Sequence, residues 1–240
     1  MPRLDVVVTQ HGLAESRERA QALILAGKVR VAGETVRRPD RTVKEDAAIA
    51  VDAEPGYASR GAMKLGPALD RFGVEPKGKI CADIGASTGG FTDVLLRRGA
   101  AKVYAVDVGR GLLHWRLRQD PRVVLMERVN ARELESFPEP VSLVVVDVSF
   151  ISLEKILPAV RVAAPRAEVV ALFKPQFEVG RSEVGKGGIV RNQEAIDAAL
   201  QRFRSWCAAH GYLVVADAPS EVAGAEGNRE IFVHMKPTAS

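Results

Sequence analysis

Residues 79–91 read Lys79-Ile80-Cys81-Ala82-Asp83-Ile84-Gly85-Ala86-Ser87-Thr88-Gly89-Gly90-Phe91: a short apolar run, a glycine-rich turn, then the start of a new apolar stripe. A strand that turns tightly into a helix is the opening of a parallel βα unit. Outward from this point the rhythm repeats. Extended runs are expected over Lys79–Ile84, Lys102–Asp107, Arg122–Glu127, Val141–Asp147, Ala167–Phe173, Tyr212–Asp217 and Arg229–Met235. Helices are expected over Phe91–Arg98, Leu153–Ala163 and Gln193–His210, with an earlier helical stripe of Leu65, Ala68, Leu69 and Phe72. This alternation predicts an α/β fold with a mostly parallel, seven-stranded Rossmann-like sheet. No helix separates the last two strands, so they should pair antiparallel at one edge.

The beginning of the chain has a different pattern. Leu4, Val7 and Val8, then Leu13, Ala20, Leu23 and Ile24, repeat at helical spacing, with Ser16 placed to cap a second helix and Gly27 to end it. Short extended pieces follow at Val29–Val31 and Thr35–Val36, giving a small α+β helix–helix–hairpin unit. Composition then shifts at Asp52-Ala53-Glu54-Pro55-Gly56. The expected organisation is a domain over 1–52, a linker over 53–58 and a larger domain over 59–240.

Composition excludes several classes. With 240 residues, 47% hydrophobic and 27% charged, the chain has globular composition. Its two cysteines, Cys81 and Cys207, are too few for a disulfide framework or a cysteine-rich metal cluster, and they fit a reduced, cytoplasmic setting. Apolar runs such as Leu143–Val146 and Val169–Phe173 are too short to span a bilayer, and no signal-peptide pattern follows Met1. The net charge of +4 is a lean toward polyanions and no more.

Within the first unit, basic residues outnumber acidic ones. Arg17, Arg19, Lys28, Arg30, Arg37 and Arg38 are candidate phosphate contacts, each able to displace counterions from a nucleic acid. Charge alone favours a solvated face. The run Ser16-Arg17 through Gly33, however, resembles a small RNA-binding module shared by a ribosomal protein and several pseudouridine synthases. That resemblance implies binding of structured RNA.

In the larger domain, the glycine turn lies where a doubly wound sheet takes its ligand. Ser87 replaces the second glycine of the dinucleotide fingerprint, and Asp-x-Gly-x-x-x-Gly is instead a pattern common among S-adenosylmethionine methyltransferases. Asp83, Gly85, Ser87, Thr88, Gly89, Gly90 and Phe91 are the candidate cofactor residues. Asp107, ending the next strand, is placed to accept from ribose hydroxyls, and Asn130 after the third strand is placed to meet the adenine edge or simply to make a turn. The Gly180–Gly187 stretch imitates a phosphate-binding loop but lacks the Ser/Thr that would hold magnesium, and reads as a long loop.

Asp147 and Lys174 each follow an apolar run and should emerge at the carboxyl edge; Pro175 keeps Lys174 extended. Lys64 sits off its helix's apolar stripe, and Glu230 opens the last strand. Singly, these read as a solvated lysine, a helix cap, a strand end and half a salt bridge. Together, Ser59-Arg60-Gly61-Ala62-Met63-Lys64, Asp83–Phe91, Asp147-Val148-Ser149-Phe150-Ile151-Ser152-Leu153, Lys174-Pro175-Gln176-Phe177-Glu178 and Asn228-Arg229-Glu230-Ile231-Phe232 resemble the TlyA family, known both as haemolysins and as ribosomal RNA 2′-O-methyltransferases. The larger domain is similar to FtsJ-like ribose methyltransferases. This resemblance implies S-adenosyl-L-methionine as cofactor, a cytidine ribose 2′-hydroxyl in ribosomal RNA or a ribosomal subunit as substrate, no metal, and a tetrad of Lys64, Asp147, Lys174 and Glu230. Lys174 would be the base, oriented by Asp147. Lys64 would supply a neighbouring charge or a phosphate contact, held by Glu230. The rivals are a non-catalytic RNA-binding assembly factor, a haemolysin, and a methyltransferase for bases or proteins. A haemolysin would need a membrane-active element, and base chemistry usually needs an aromatic pocket, whereas aromatics make up 5% of the chain.

Overall fold

The computed structural model describes residues 1–14, 16–51, 57–59, 61–224 and 227–238. Residues 52–56, where most of the expected linker falls, lie outside the described residues. Contacts divide the chain into two units: Met1–Tyr57 with His114–Asp120, and Ala58–Leu113 with Pro121–Ser240.

In the first unit, α1 (Leu4–Gln10) and α2 (Arg17–Leu25) form over the expected stripes. Ser16 caps α2 by accepting from the Arg19 amide at 3.1 Å, and Gly27, at φ +70°, turns the chain away after it. The expected hairpin is only part of a sheet. Strand β1 (Val29–Val31) pairs antiparallel with β2 (Glu34–Val36) and, on its other side, with β3 (Ile49–Val51). A three-residue strand is too short to show alternation, and its partner is remote in sequence, so β3 has no local signature.

In this unit Asp5 is fully buried. It accepts from Arg3 (3.1 and 3.0 Å), Arg17 (3.0 Å) and Gln21 (2.7 Å). Arg17, a candidate RNA contact, is therefore tied into the fold through its Nε. Arg38 is paired with Asp40 at 3.1 Å on the surface. Lys28 precedes β1, Arg30 is exposed at its middle, and the Arg37 guanidinium lies against Gly27.

The second unit holds α3 (Ala62–Phe72), β4 (Ile80–Ile84), α4 (Gly90–Arg97), β5 (Lys102–Asp107), β6 (Val123–Glu127), β7 (Leu143–Val146), α6 (Leu157–Ala163), β8 (Glu168–Phe173), α7 (Pro175–Glu178), α8 (Gln193–Ala209), β9 (Tyr212–Pro219) and β10 (Ile231–Pro237). The short helix α5 (Trp115–Arg118), not foreseen, falls in the first unit. Strand order is β6-β5-β4-β7-β8-β10-β9, with β4 to β8 parallel and β10 antiparallel to both its neighbours. The central strands β7 and β8 are almost wholly buried, as expected of strands covered on both faces, which is why they read as unbroken apolar runs.

Other segments also differ from expectation, among them the unforeseen helix α7. Leu153–Ala163 is a 3₁₀ turn (Leu153–Lys155) followed by α6, because Pro158 lacks the amide needed to carry one helix through and fits only its first turn. Two further 3₁₀ turns, Arg181–Glu183 and Lys186–Gly188, punctuate the expected long loop. One register bears directly on the chemistry of this domain. Ile231 pairs with Phe173, which brings Glu230 level with Lys174 at the carboxyl edge.

Burial alone would raise the Asp5 carboxyl, yet the hydrogen bonds from Arg3, Gln21 and Arg17 outweigh it and hold the group well below the usual carboxylate range. Its contribution to stability is thus present above about pH 4 and is lost as acid protonates it. Asp5→Ala should destabilise the first unit by about 2 kcal/mol, less than a fully buried pair because Arg3 and Arg17 reach solvent. Faster amide exchange confined to residues 4–25 is the expected readout, and unchanged exchange there would contradict it.

Candidate active site

The site begins where β4 ends. Gly85 (φ +86°) and Gly89 (φ +93°) take left-handed conformations that let the turn double back, and Ser87 between them is also left-handed at φ +48°. A Cβ on Gly85 would lie 2.5 Å from the Asp147 carbonyl oxygen, so only glycine lets this turn and the segment after β7 share the same space. Asp107 fixes the turn from β5: its carboxylate accepts from the Ser87 amide and the Gly109 amide, both at 2.7 Å.

Asp83 is placed differently from the other turn residues. It is fully buried beneath the turn and does not line the cavity. One oxygen accepts from the Thr92 amide (2.8 Å) and hydroxyl (2.7 Å), securing the first turn of α4; the other has no protein partner among the described residues. Burial pushes this carboxyl up to about 7, with Asp147 and Asp107 adding to the rise and the Thr92 bonds opposing it.

Close helix packing carries Lys64 in. A Cβ on Gly90 would meet the Ser59 hydroxyl at 2.3 Å and the Ala62 amide nitrogen at 2.9 Å, so its absence lets α3 sit against the start of α4. Asp93 pins the approach by accepting from the Ala58 amide at 2.8 Å. Arg60 of the Ser59–Lys64 motif lies outside the described residues. Lys64 Nζ then donates to Glu230 Oε2 at 2.6 Å, joining α3 to the residue before β10.

A second pair sits across the same cavity. Lys174, nine-tenths buried at the end of β8, places Nζ 2.6 Å from Asp147 Oδ1 and donates to the Ser149 hydroxyl at 2.9 Å. Ser149 lies within the Asp147–Leu153 motif but carries no assigned role there, because its contact is set by β8, the neighbour of β7. Lys64, Asp147, Ser149 and Lys174 line a cavity of about 290 Å³ with Gly85, Ser87, Thr88, Gly90 and Phe91. At Gly85, Asp147 and Ser149 it adjoins a cleft of about 960 Å³, walled by Asp107, Val108, Val129 and Asn130. The Asn130 side chain is engaged locally, accepting from the Arg132 amide (3.2 Å) and donating to Glu133 (2.8 Å).

Another residue of the Asp147–Leu153 motif, given no role by the sequence, stands on the cleft wall. Phe150 is 90% exposed, holds φ +64°, and touches Phe177 ring to ring at 5.3 Å. A bulky non-glycine residue in that conformation is strained, and such strain clusters at working sites.

The cleft fits S-adenosyl-L-methionine. Asp107 retains lone pairs for a ribose diol, the walls beside it offer apolar Val108, Leu112 and Val129 for a purine, and the glycine turn admits a backbone-close chain toward Asp147.

Comparison with known proteins agrees with this geometry. The FtsJ-like methyltransferase family matches residues 57–237, and the S4 domain family matches residues 2–49. The chain is 46% identical to the 16S/23S rRNA (cytidine-2′-O)-methyltransferase TlyA of Mycobacterium tuberculosis, over 98% of this chain and 89% of that one. It is 44% identical to Hemolysin A of Brachyspira hyodysenteriae, over 97% and 99%. A solved Streptococcus thermophilus structure that carries a hemolysin name superposes with a TM-score of 0.75 at 42% identity, covering 99% of this chain and 89% of that one.

Gly85→Ala should both strain the turn, at about 1–2 kcal/mol for the backbone alone, and drive a methyl into the Asp147 carbonyl. Calorimetry should find S-adenosylmethionine binding weakened about tenfold or more. Binding within twofold of the native protein would contradict this reading.

Proposed function

This chain belongs to the FtsJ-like methyltransferases of the TlyA family, and from that membership we propose that it methylates the ribose 2′-hydroxyl of a cytidine in ribosomal RNA. Residues 59–240 carry the transfer, residues 53–58 act as the linker, and residues 1–52, which include the S4 match, supply the RNA contacts, with Arg17, Arg19, Lys28, Arg30, Arg37 and Arg38 as the candidates. Such an activity belongs in the cytoplasm, with the ribosome. Among the described residues no helix is long and apolar enough to cross a membrane.

The observation that carries the reaction is the pair of lysine–carboxylate contacts on one cavity beside the glycine turn. When bound, S-adenosylmethionine supplies an electrophilic methyl carbon on a positively charged sulfur. A ribose hydroxyl is a weak nucleophile until its proton leaves, so a base must be in reach of it. Lys174 is that base in our reading. Its Nζ is held by the Asp147 carboxylate and the Ser149 hydroxyl, which leave one direction open to the substrate, and once it has given up a proton to solvent its lone pair faces that way. Nζ would take the hydroxyl proton as the ribose oxygen receives the methyl group. Lys64, anchored by Glu230, keeps two hydrogens for a phosphate or ribose oxygen of the substrate. Phe150 and Phe177 offer an aromatic surface to an unstacked base.

Lys174→Ala should lower methyl transfer by about 10²–10⁴-fold, the usual contribution of a general base, while S-adenosylmethionine binds within a few-fold of native. Mapping ribose methyl marks on ribosomal RNA incubated with each protein reads both the site and the loss. Near-native turnover of the variant would sink the role given to Lys174, and absence of any ribose mark with the native protein would sink the function.

A further inference from the structure

Two segments bring Lys174 and its partners together: Asp147–Leu153, leaving β7, and Lys174–Glu178, leaving β8. Each is anchored at its strand end, but the first then passes through Phe150 in its strained left-handed conformation. A strained residue persists only where its surroundings over-determine it. The far end of that segment is held by one side chain. Glu178 Oε1 accepts from the Leu153 amide at 2.8 Å, and Glu178 Oε2 accepts from the Ser152 hydroxyl at 2.7 Å. The same hydroxyl accepts from the Glu154 amide at 3.2 Å, capping the 3₁₀ turn whose Leu153 is buried in the sheet core.

We infer that Glu178 is a positioning residue, clamping the Asp147–Leu153 segment in the register in which Asp147 and Ser149 meet Lys174. The inference rests on the reading of Lys174 as the group that receives the substrate proton. Glu178 touches none of the reacting atoms. It acts from one turn beyond Lys174 on the same segment, so the lysine and the clamp on its partners move as one body. Burial pushes this carboxyl up to about 7, with nearby Glu154 adding to the rise and the bonds from Leu153 and Ser152 opposing it. A neutral form keeps both contacts: one oxygen accepts from Leu153 while the acid hydrogen is donated to the Ser152 hydroxyl. Glutamine reproduces that arrangement, and alanine cannot.

The test uses the full chain, ribosomal subunits and S-adenosylmethionine, with Glu178→Ala, Glu178→Gln and Ser152→Ala. In Glu178→Ala kcat should fall about 10–100-fold, the scale of an ångström's misplacement, with KM for S-adenosylmethionine held within about threefold. Glu178→Gln should recover most of kcat, and Ser152→Ala should fall between them. Amide exchange over residues 148–153 should rise about tenfold in Glu178→Ala and stay near native in Glu178→Gln. Native kcat and exchange in Glu178→Ala would overturn the clamp, as would a Gln variant as damaged as the Ala variant. Should Glu178→Ala fail to fold, Ser152→Ala decides alone: unchanged kcat and exchange there overturn the proposal. A native protein that transfers no methyl to ribosomal RNA defeats the functional reading instead, and the exchange data still decide the clamp.

Discussion

The contact between Gly85 and the backbone of Asp147 is the constraint on which the site is built. A side chain at Gly85 would stand 2.5 Å from the Asp147 carbonyl, so the turn that takes a cofactor and the segment that carries an acid are pressed into one another. The two strands that deliver them, β4 and β7, are adjacent and parallel, and both end at this point. Moving either would open a gap between the place where a methyl donor binds and the groups that handle the acceptor. Gly90 plays the matching part on the other flank, where a missing Cβ lets α3 close on α4 and swing Lys64 inward.

From that junction the electrostatics follow. Each lysine is held by its own carboxylate, Lys64 by Glu230 and Lys174 by Asp147, so the position of each amine is fixed. Partly buried pairs of this kind cost desolvation and are weak sources of stability. Their value is in orientation: among the described residues each amine is pointed by two or fewer protein partners and keeps directions in which a substrate can be met.

Much of this was legible in the sequence because it is written locally. The glycine turn, the apolar strands and the acid or lysine at each strand end all lie within a few residues of one another, and helical or extended spacing suffices to place them. Features set by remote partners were not legible. Strand β3 is defined by β1, and Arg17 is claimed by Asp5 from an earlier helix. Ser149 gains its role only when β8 lies beside β7. Asp83 reads in the sequence as a cofactor contact, and its second task, anchoring the first turn of α4 from beneath the glycine turn, depends on Thr92 and had no sequence signal. The Leu153–Ala163 stripe is helical in period, but Pro158 divides it, a rule that outweighs periodicity.

The reversed course of β10 has a bearing on how the protein comes into being. Because this strand inserts between β8 and β9 with its beginning at the carboxyl edge, Glu230 comes level with Lys174 only after β8, α8 and β9 have been made. A chain still emerging from the ribosome holds the cofactor turn, Lys64, Asp147 and Lys174, yet lacks the acid that secures Lys64 and the strand that closes the sheet between β8 and β9. Competence therefore waits for β10, and a copy whose translation stops before that strand is left without its full set of working groups.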